Sequence, residues 1–261
     1  MLGGIDDPPR PTGFAAYRAT VDVEKMKADP EVSWLLDQPA LNIWIGEDRH
    51  VMTYTISAGK SFNMVLSHVD RSDPSTWKPE TAKEDMRAYF SGWDPCLTKI
   101  INMIDHTIKW PLMCGTPLSN WVAASSRVLI VGDAAHAMVP YMSQGAAMAV
   151  EDGAALAAVI SLIQSPEQIS EALQVFQTER VKRSGQMQGA SLLNGKLWHF
   201  ADGPEQRARD AGMKAETQSR SFSWSANQWS DPVTQFWAYN YDAEVEMENA
   251  WNARYSYQSK V

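Results

Sequence analysis

The residues best suited to chemistry lie in one stretch, RVLIVGDAAHAMVPYMSQGAAMAVEDGAALAAVISLIQ, residues 127–164. The apolar run at 128–131 reads as a buried strand that passes straight into Gly132-Asp133. A loop follows, and after Ser143-Gln144-Gly145 an almost wholly apolar helix begins. This order gathers a carboxylate, a glycine that allows close approach and the positive end of a helix around one small volume. Strand ends facing helix N-termini are where α/β proteins hold polar cofactor groups. A purely structural reading stands beside it, because a strand-to-helix turn uses glycine and aspartate for its own geometry. His136 reads as a local hydrogen-bonding residue that holds the loop.

The elements that must position this stretch can be read on either side of it. Residues 14–23 have strand character. Residues 41–45, 50–56 and 61–69 form a meander, with turns at Gly46-Glu47-Asp48 and Ser57-Ala58-Gly59-Lys60. Met52, Tyr54 and Ile56 share one side of their strand, and Phe62, Met64 and Leu66 one side of the next, the period-two alternation of antiparallel strands with a covered face. A helix is expected from Pro79 to about Phe90. A second is capped by Asp94-Pro95, with Leu97, Ile100, Ile101 and Ile104 on one stripe. A strand over 107–113 leads back toward the central stretch. Beyond it, Ser165-Pro166-Glu167-Gln168 reads as a capping box for a helix with Ile169, Ala172, Leu173 and Phe176 inward, continuing through Arg180 and Arg183 toward Trp198. The two arginines read as surface salt-bridge partners. From residue 201 the pattern is irregular.

Bulk properties narrow the partners. The 261 residues are 44% hydrophobic and 21% charged, which fits a soluble globular chain of one or two domains. Net charge is −8 without acidic or basic blocks, which disfavours nucleic acid and anionic membrane surfaces. Cys96 and Cys114 are the two cysteines; they imply no disulfide framework, and a cytoplasmic location fits them. The five histidines and two cysteines show no ligand spacing, so no metal is expected. The apolar stretch 146–163 is interrupted by Glu151-Asp152 and reads as a buried helix, not a membrane span.

The string GDAAH, Pro140, Gln144-Gly145-Ala146 and Glu151-Asp152 resembles the second FAD-binding segment of the flavin-dependent aromatic hydroxylases, the salicylate-hydroxylase-like monooxygenases in particular. Further marks occur in the family's order: Gly13 with Ala16-Tyr17-Arg18, Trp44, Gly46, Tyr54, Phe62-Asn63, Trp110-Pro111-Leu112, Trp121, Phe176, Arg180 and Arg183. The likeness spans roughly residues 10–200. It implies that Asp133 bonds the ribityl chain of FAD, that Gly145 and Ala146 lie along the pyrimidine edge, and that Pro140 belongs to the same FAD side. By the same likeness Arg18 sits at the flavin and substrate mouth, while Tyr54 and Asn63 wall the substrate cavity. Three positions depart from the family's usual residues: Ala137, Ser143 and Ala147. A GxGxxG turn and a second Asp-Gly segment, which open family members, are not found; Gly3-Gly4 follows no strand and cannot stand in. The chain therefore reads as truncated relative to the family.

The expected fold is α+β: an antiparallel or mixed substrate-domain sheet covered by helices (1–125), a remnant strand–helix unit of the FAD-binding domain (126–200), and an irregular or helical aromatic-rich segment (201–261). Three functions follow. The first is hydroxylation of an aromatic or polyketide-like small molecule by FAD with NAD(P)H as reductant, with Arg18, His50 and Tyr54 as catalytic candidates. The second is a flavin-independent isomerase, cyclase or dehydratase reusing the cavity through His50, Tyr54, His136, Asp133 and Arg18. The third is a non-catalytic homologue that self-associates or meets a partner chain, with Trp224, Trp229, Trp237 and Trp251 as either a docking surface or a cover over the core.

Overall fold

The computed structural model describes residues 8–258, so Gly3-Gly4 lie outside the described residues. In chain order the elements are β1 (Arg10–Asp22), α1 (Val23–Lys27), β2 (Asn42–Gly46), β3 (Arg49–Ile56), β4 (Ser61–Val69), α2 (Ala82–Tyr89), α3 (Pro95–Asn102), β5 (Thr107–Cys114), α4 (Asp133–His136), α5 (Gly145–Ser161), α6 (Ile169–Trp198), α7 (Pro204–Thr217), α8 (Pro232–Tyr239) and α9 (Ala243–Gln258). They fall into two compact units. Of the described residues, one holds 11–112 with 198–203; the other holds 8–10, 113–197 and 204–258. Residues beyond 203 thus pack into the helical unit instead of standing as a third segment.

The first unit is the α+β sheet, in the order β2-β3-β4-β1-β5. β1 pairs with β4, β4 with β3 and β3 with β2, all antiparallel. Alternation decides what each face carries. Tyr17, Ala19 and Val21 of β1 lie opposite Leu66, Met64 and Phe62 of β4, and Val51 opposes Leu66 from β3. These side chains form the core with Met86 of α2 and Leu97, Ile100 and Ile101 of α3, all buried. The Asp94 cap holds: its Oδ1 accepts from Leu97 N at 3.1 Å. α2 begins three residues after Pro79, because residues 78–81 close as a turn, with Thr81 N donating to Lys78 O at 3.2 Å.

The second unit is helical and departs from expectation at three places. Residues 128–131 form no strand. Leu129 makes only an isolated antiparallel bridge to Val122, and Val128 and Val131 are 52% and 40% exposed. Among the described residues no parallel strand lies beside this run, and an apolar stretch without ladder partners stays a single bridge. Ser165 makes no side-chain cap; Gln168 Oε1 instead accepts from Gln164 N at 2.7 Å. Of the two expectations for the segment after 201, irregular or helical, the helical one holds, through α7, α8 and α9. Its starts carry ordinary cap chemistry, Asp231 accepting from Thr234 N at 2.9 Å and Asp242 from Glu244 and Val245 N at 3.1 Å. Finally, Arg180 and Arg183 are buried, not on the helix surface.

The helical core explains α5. Ala155 and Val159 pack with Trp121, Phe176, Met247 and Trp251, and α9 runs along α5. Trp251 is thereby core, while Trp229 and Trp237 pack partly buried on Met142, Met148 and Met187. Trp224 remains 61% exposed. The aromatic tail is mostly cover.

Candidate functional site

The central turn is built on Gly132. Its φ of 61° lies in the region that L side chains avoid, and a Cβ there would come within 3.4 Å of Ala149 Cβ. Ala135 N and His136 N both return to Gly132 O, at 2.8 and 2.9 Å, which closes α4 as a single turn. Asp133 occupies the first position of that turn and is exposed.

Behind this turn sits a buried charged network that the sequence reading left out. The Asp152 carboxylate, fully buried, accepts from Gly132 N at 2.9 Å and His136 Nε2 at 2.7 Å on Oδ2, and from Arg180 Nε at 2.9 Å on Oδ1. Arg180 also reaches Glu151 Oε2 at 2.7 Å and Met148 O at 3.2 Å. Arg183 grips Glu151 at 3.1 Å and donates to Trp237 O and Ala238 O at 3.0 and 2.8 Å. Its guanidinium lies 4.4 Å from the Tyr241 ring centre. Burial by itself would raise Asp152, but His136, the Gly132 amide and Arg180 outweigh it and hold the carboxyl below its ordinary value. Burial opposes the charge on Arg180, and Asp152 and Glu151 overcome it, raising Arg180.

A ladder from α6 fixes the loop that leads to α5. Gln188 Nε2 donates to Ala137 O at 3.1 Å, Ser191 Oγ to Val139 O at 2.5 Å and Asn194 Nδ2 to Tyr141 O at 2.7 Å. Three polar residues spaced three apart on α6 therefore meet the carbonyls of residues 137, 139 and 141, the last of them in the short turn 140–142. Gly195 lets the loop come this close, since a Cβ there would stand 2.4 Å from Tyr141 Cδ2. Pro140 is exposed at the first position of the short turn that follows. Gly145 then opens α5, and no side chain caps that end. Ala146 is exposed and Gly145 half-buried, so the first amides of α5 are not screened by bulky side chains.

The remaining predicted residues lie on the sheet unit. Tyr54 and Asn63 stand directly opposite one another across β3 and β4, and Asn63 also faces Thr20 of β1. Arg18 is two residues from Thr20 on the same strand, so Arg18, Tyr54 and Asn63 share the sheet face turned away from α2 and α3. Arg18 is exposed and Tyr54 half-buried. Asn63 Nδ2 is buried without a hydrogen-bond partner. His50 belongs to the same face but is covered. Its Nδ1 is 2.7 Å from His199 Nε2, the two rings stack at 5.0 Å, and Trp198 meets it edge-on. Burial, then His199, drives the His50 pKa well below the usual histidine value, so the ring is neutral at pH 7.

Comparison with known proteins gives this geometry a lineage. Residues 14–191 match the family model described as FAD binding domain. The FAD-dependent monooxygenase OpS4 of Beauveria bassiana (strain ARSEF 2860) is 35% identical over 242 residues, 93% of this chain and 56% of that protein. A 3-hydroxybenzoate 6-hydroxylase of Polaromonas naphthalenivorans (strain CJ2) is 30% identical over 86% of this chain and 53% of its own length. Among solved structures, a salicylate hydroxylase substrate complex superposes with a TM-score of 0.74 and 27% identity, over 95% of this chain and 59% of that one. The chain spans about half the length of the curated relatives it matches. With the Gly-Asp turn, the loop it leads into and all of the sheet but the first residues of β1 inside the matched region, the chain belongs to the FAD binding domain family, that of the FAD-dependent aromatic hydroxylases.

Proposed function

We propose that this chain supplies the ribityl and pyrimidine side of an FAD site and a substrate-facing sheet in a monooxygenase that hydroxylates a small aromatic molecule, with NAD(P)H as reductant. The observation that carries the reading is the exposed Asp133 on a turn clamped by a buried carboxylate, together with an uncapped α5 N-terminus. These residues fit the group. Asp133 offers acceptor oxygens to ribityl hydroxyls, and the Gly145 and Ala146 amides offer donors and a positive helix end to an electron-rich pyrimidine edge. Pro140 holds the loop between them in place. Bound and reduced, FAD would activate dioxygen so that one atom enters the aromatic ring and the other leaves as water.

The chain's own part in the chemistry is binding and orientation. Arg18 would attract a phenolate or carboxylate, and Tyr54 with the unpartnered Asn63 amide would fix its polar substituents. His50 would position the sheet by holding residues 198–203 against it. The flavin-independent alternative is not favoured. Two of its acid–base groups, His50 and His136, are each 1% exposed and already hydrogen-bonded to His199 and Asp152.

Val128, Val131, Val150 and Ile160 remain exposed, and self-association or a partner chain would act there. Cys96 and Cys114 are free thiols, in keeping with a cytoplasmic setting. Among the described residues no helix is long and apolar enough to cross a membrane. The test is an FAD titration of the whole chain read by flavin fluorescence, with an absorbance spectrum after desalting. Asp133→Ala should weaken binding about tenfold, the loss of a hydrogen bond to a charged acceptor. Equal FAD retention by the two proteins, including none by either, would overturn the proposal.

A further inference from the structure

The buried carboxylate at position 152 touches both ends of the short helix that bears Asp133. Oδ2 accepts from Gly132 N before that helix and from His136 Nε2 at its end. Asp152 itself belongs to α5, seven residues beyond the Gly145 that opens it. One carboxylate therefore ties the Asp133 turn to the helix whose first amides form the other half of the proposed flavin contact. Its orientation is locked in turn. Oδ1 is held by Arg180 from α6, and Arg180 is held by Glu151 and by the Met148 carbonyl of α5. All of these atoms are buried or nearly so: the Asp152, His136 and Arg180 side chains are 0% exposed and Glu151 is 16% exposed.

We infer that Asp152 is a positioning residue: by gripping Gly132 and His136 from within α5, it fixes the distance and angle between Asp133 and the α5 N-terminus, and so sets FAD affinity without touching FAD. The inference rests on the reading of Asp133 as an FAD contact. Structural logic favours it over a role in stability alone. A helix start can be secured without a charge by an ordinary cap, and an apolar residue at position 152 would extend the surrounding core. Three donors converging on one buried carboxylate instead impose direction on the turn.

A double-substitution cycle on the whole chain separates the two. Asp152→Asn should raise the FAD dissociation constant by up to about tenfold and speed hydrogen exchange at the Gly132 to His136 amides. In an Asp133→Ala background the same change should alter FAD affinity less than about twofold, because the group it positions is gone. A merely stabilising residue would give independent, additive losses, and that result overturns the inference. Unchanged exchange at Gly132 in Asp152→Asn would overturn it too. If Asp133→Ala leaves FAD affinity intact, it is the reading of Asp133 that fails, and the exchange measurement still decides whether Asp152 holds the turn. Should Asp152→Asn not fold, His136→Phe removes one Oδ2 donor and leaves the Gly132 bond, and the same cycle applies with a smaller expected change.

Discussion

Replacing Arg180 with methionine should be among the most damaging single changes in the helical unit, although it removes a charge from the interior. The Arg180 side chain is 0% exposed, and its nitrogens reach Asp152 at 2.9 Å, Glu151 at 2.7 Å and Met148 O at 3.2 Å. Methionine nearly fills the same volume, so cavity formation contributes little. What remains is an Asp152 carboxylate stripped of its counter-charge while still out of water. Breaking a buried ion pair on one side costs roughly 3–5 kcal/mol. Gly132 N and His136 Nε2 still donate to Oδ2, so the low end, about 3 kcal/mol, is expected here. That is more than a hundredfold in the folding equilibrium. Arg183→Met should cost less, since its partner Glu151 keeps partial access to water and keeps Arg180. The assay is hydrogen exchange of α5 and α6 amides across a urea series, which reads the helical unit separately from the sheet unit. Adding Asp152→Asn to Arg180→Met should recover stability, giving a coupling of about 1–3 kcal/mol. A loss below about 1 kcal/mol for Arg180→Met, or strict additivity of the pair, would refute the view that charge compensation governs this site.

Stability should fall as pH drops from about 6.5, the ordinary histidine value, toward 4. His68 is stacked between Tyr17 and Tyr89; burial, with lesser effects of Lys109 and Arg49, lowers it to about 4 despite the Val69 carbonyl and Asp70, and burial and His199 depress His50 as well. Both rings are neutral when folded and take up protons when unfolded, so their contribution is complete above the unfolded value and is lost on acidification; for His68 the shift converts to roughly 3 kcal/mol. Urea midpoints at pH 7, 6, 5 and 4.5 should decline, and His68→Phe should flatten the slope; a flat wild-type profile would contradict the burial argument. Gly195→Ala should destabilise by about 1–3 kcal/mol because its Cβ would meet the Tyr141 ring at 2.4 Å, whereas Gly189→Ala, with open space around it, should not. Equal thermal melts for the two would show that the loop withdraws from α6 without cost.

The sheet was legible because its code is short-range. Alternation over residues 50–56 and 61–69 dictates which side chains share a face, and pairing Tyr54 with Asn63 needs only that alternation and a short turn. The α3 cap at Asp94-Pro95 is equally local, and so are the caps at Asp231-Pro232 and Asp242, which the sequence reading did not place. The run at 128–131 misled for the opposite reason. An apolar segment reads as a strand only if something pairs with it, and a pairing partner is a long-range fact that no local pattern reports.

The charged network shows where residue patterns stop informing. Arg180, Arg183, Gln188, Ser191 and Asn194 occupy successive turns of α6 at spacings that an amphipathic helix would present to water. Here that polar stripe faces inward. The Arg side chains meet a Glu-Asp pair set in an apolar helix, and the amides and hydroxyl meet carbonyls of a loop that has no ladder of its own. Each observation makes the other necessary. A loop of bare carbonyls can be buried only against donors, and a carboxylate inside α5 can be buried only against cations. The interruption of the apolar stretch by Glu151-Asp152, read from sequence as an argument against a membrane span and as part of the family's string, was the legible half of that pairing. An acid in an otherwise apolar helix calls for basic residues on whatever packs beside it, and two arginines three residues apart on the next helix answer that requirement. Acid and base taken together across successive helices, instead of each on its own face, pair Asp152 with Arg180 and Glu151 with Arg183.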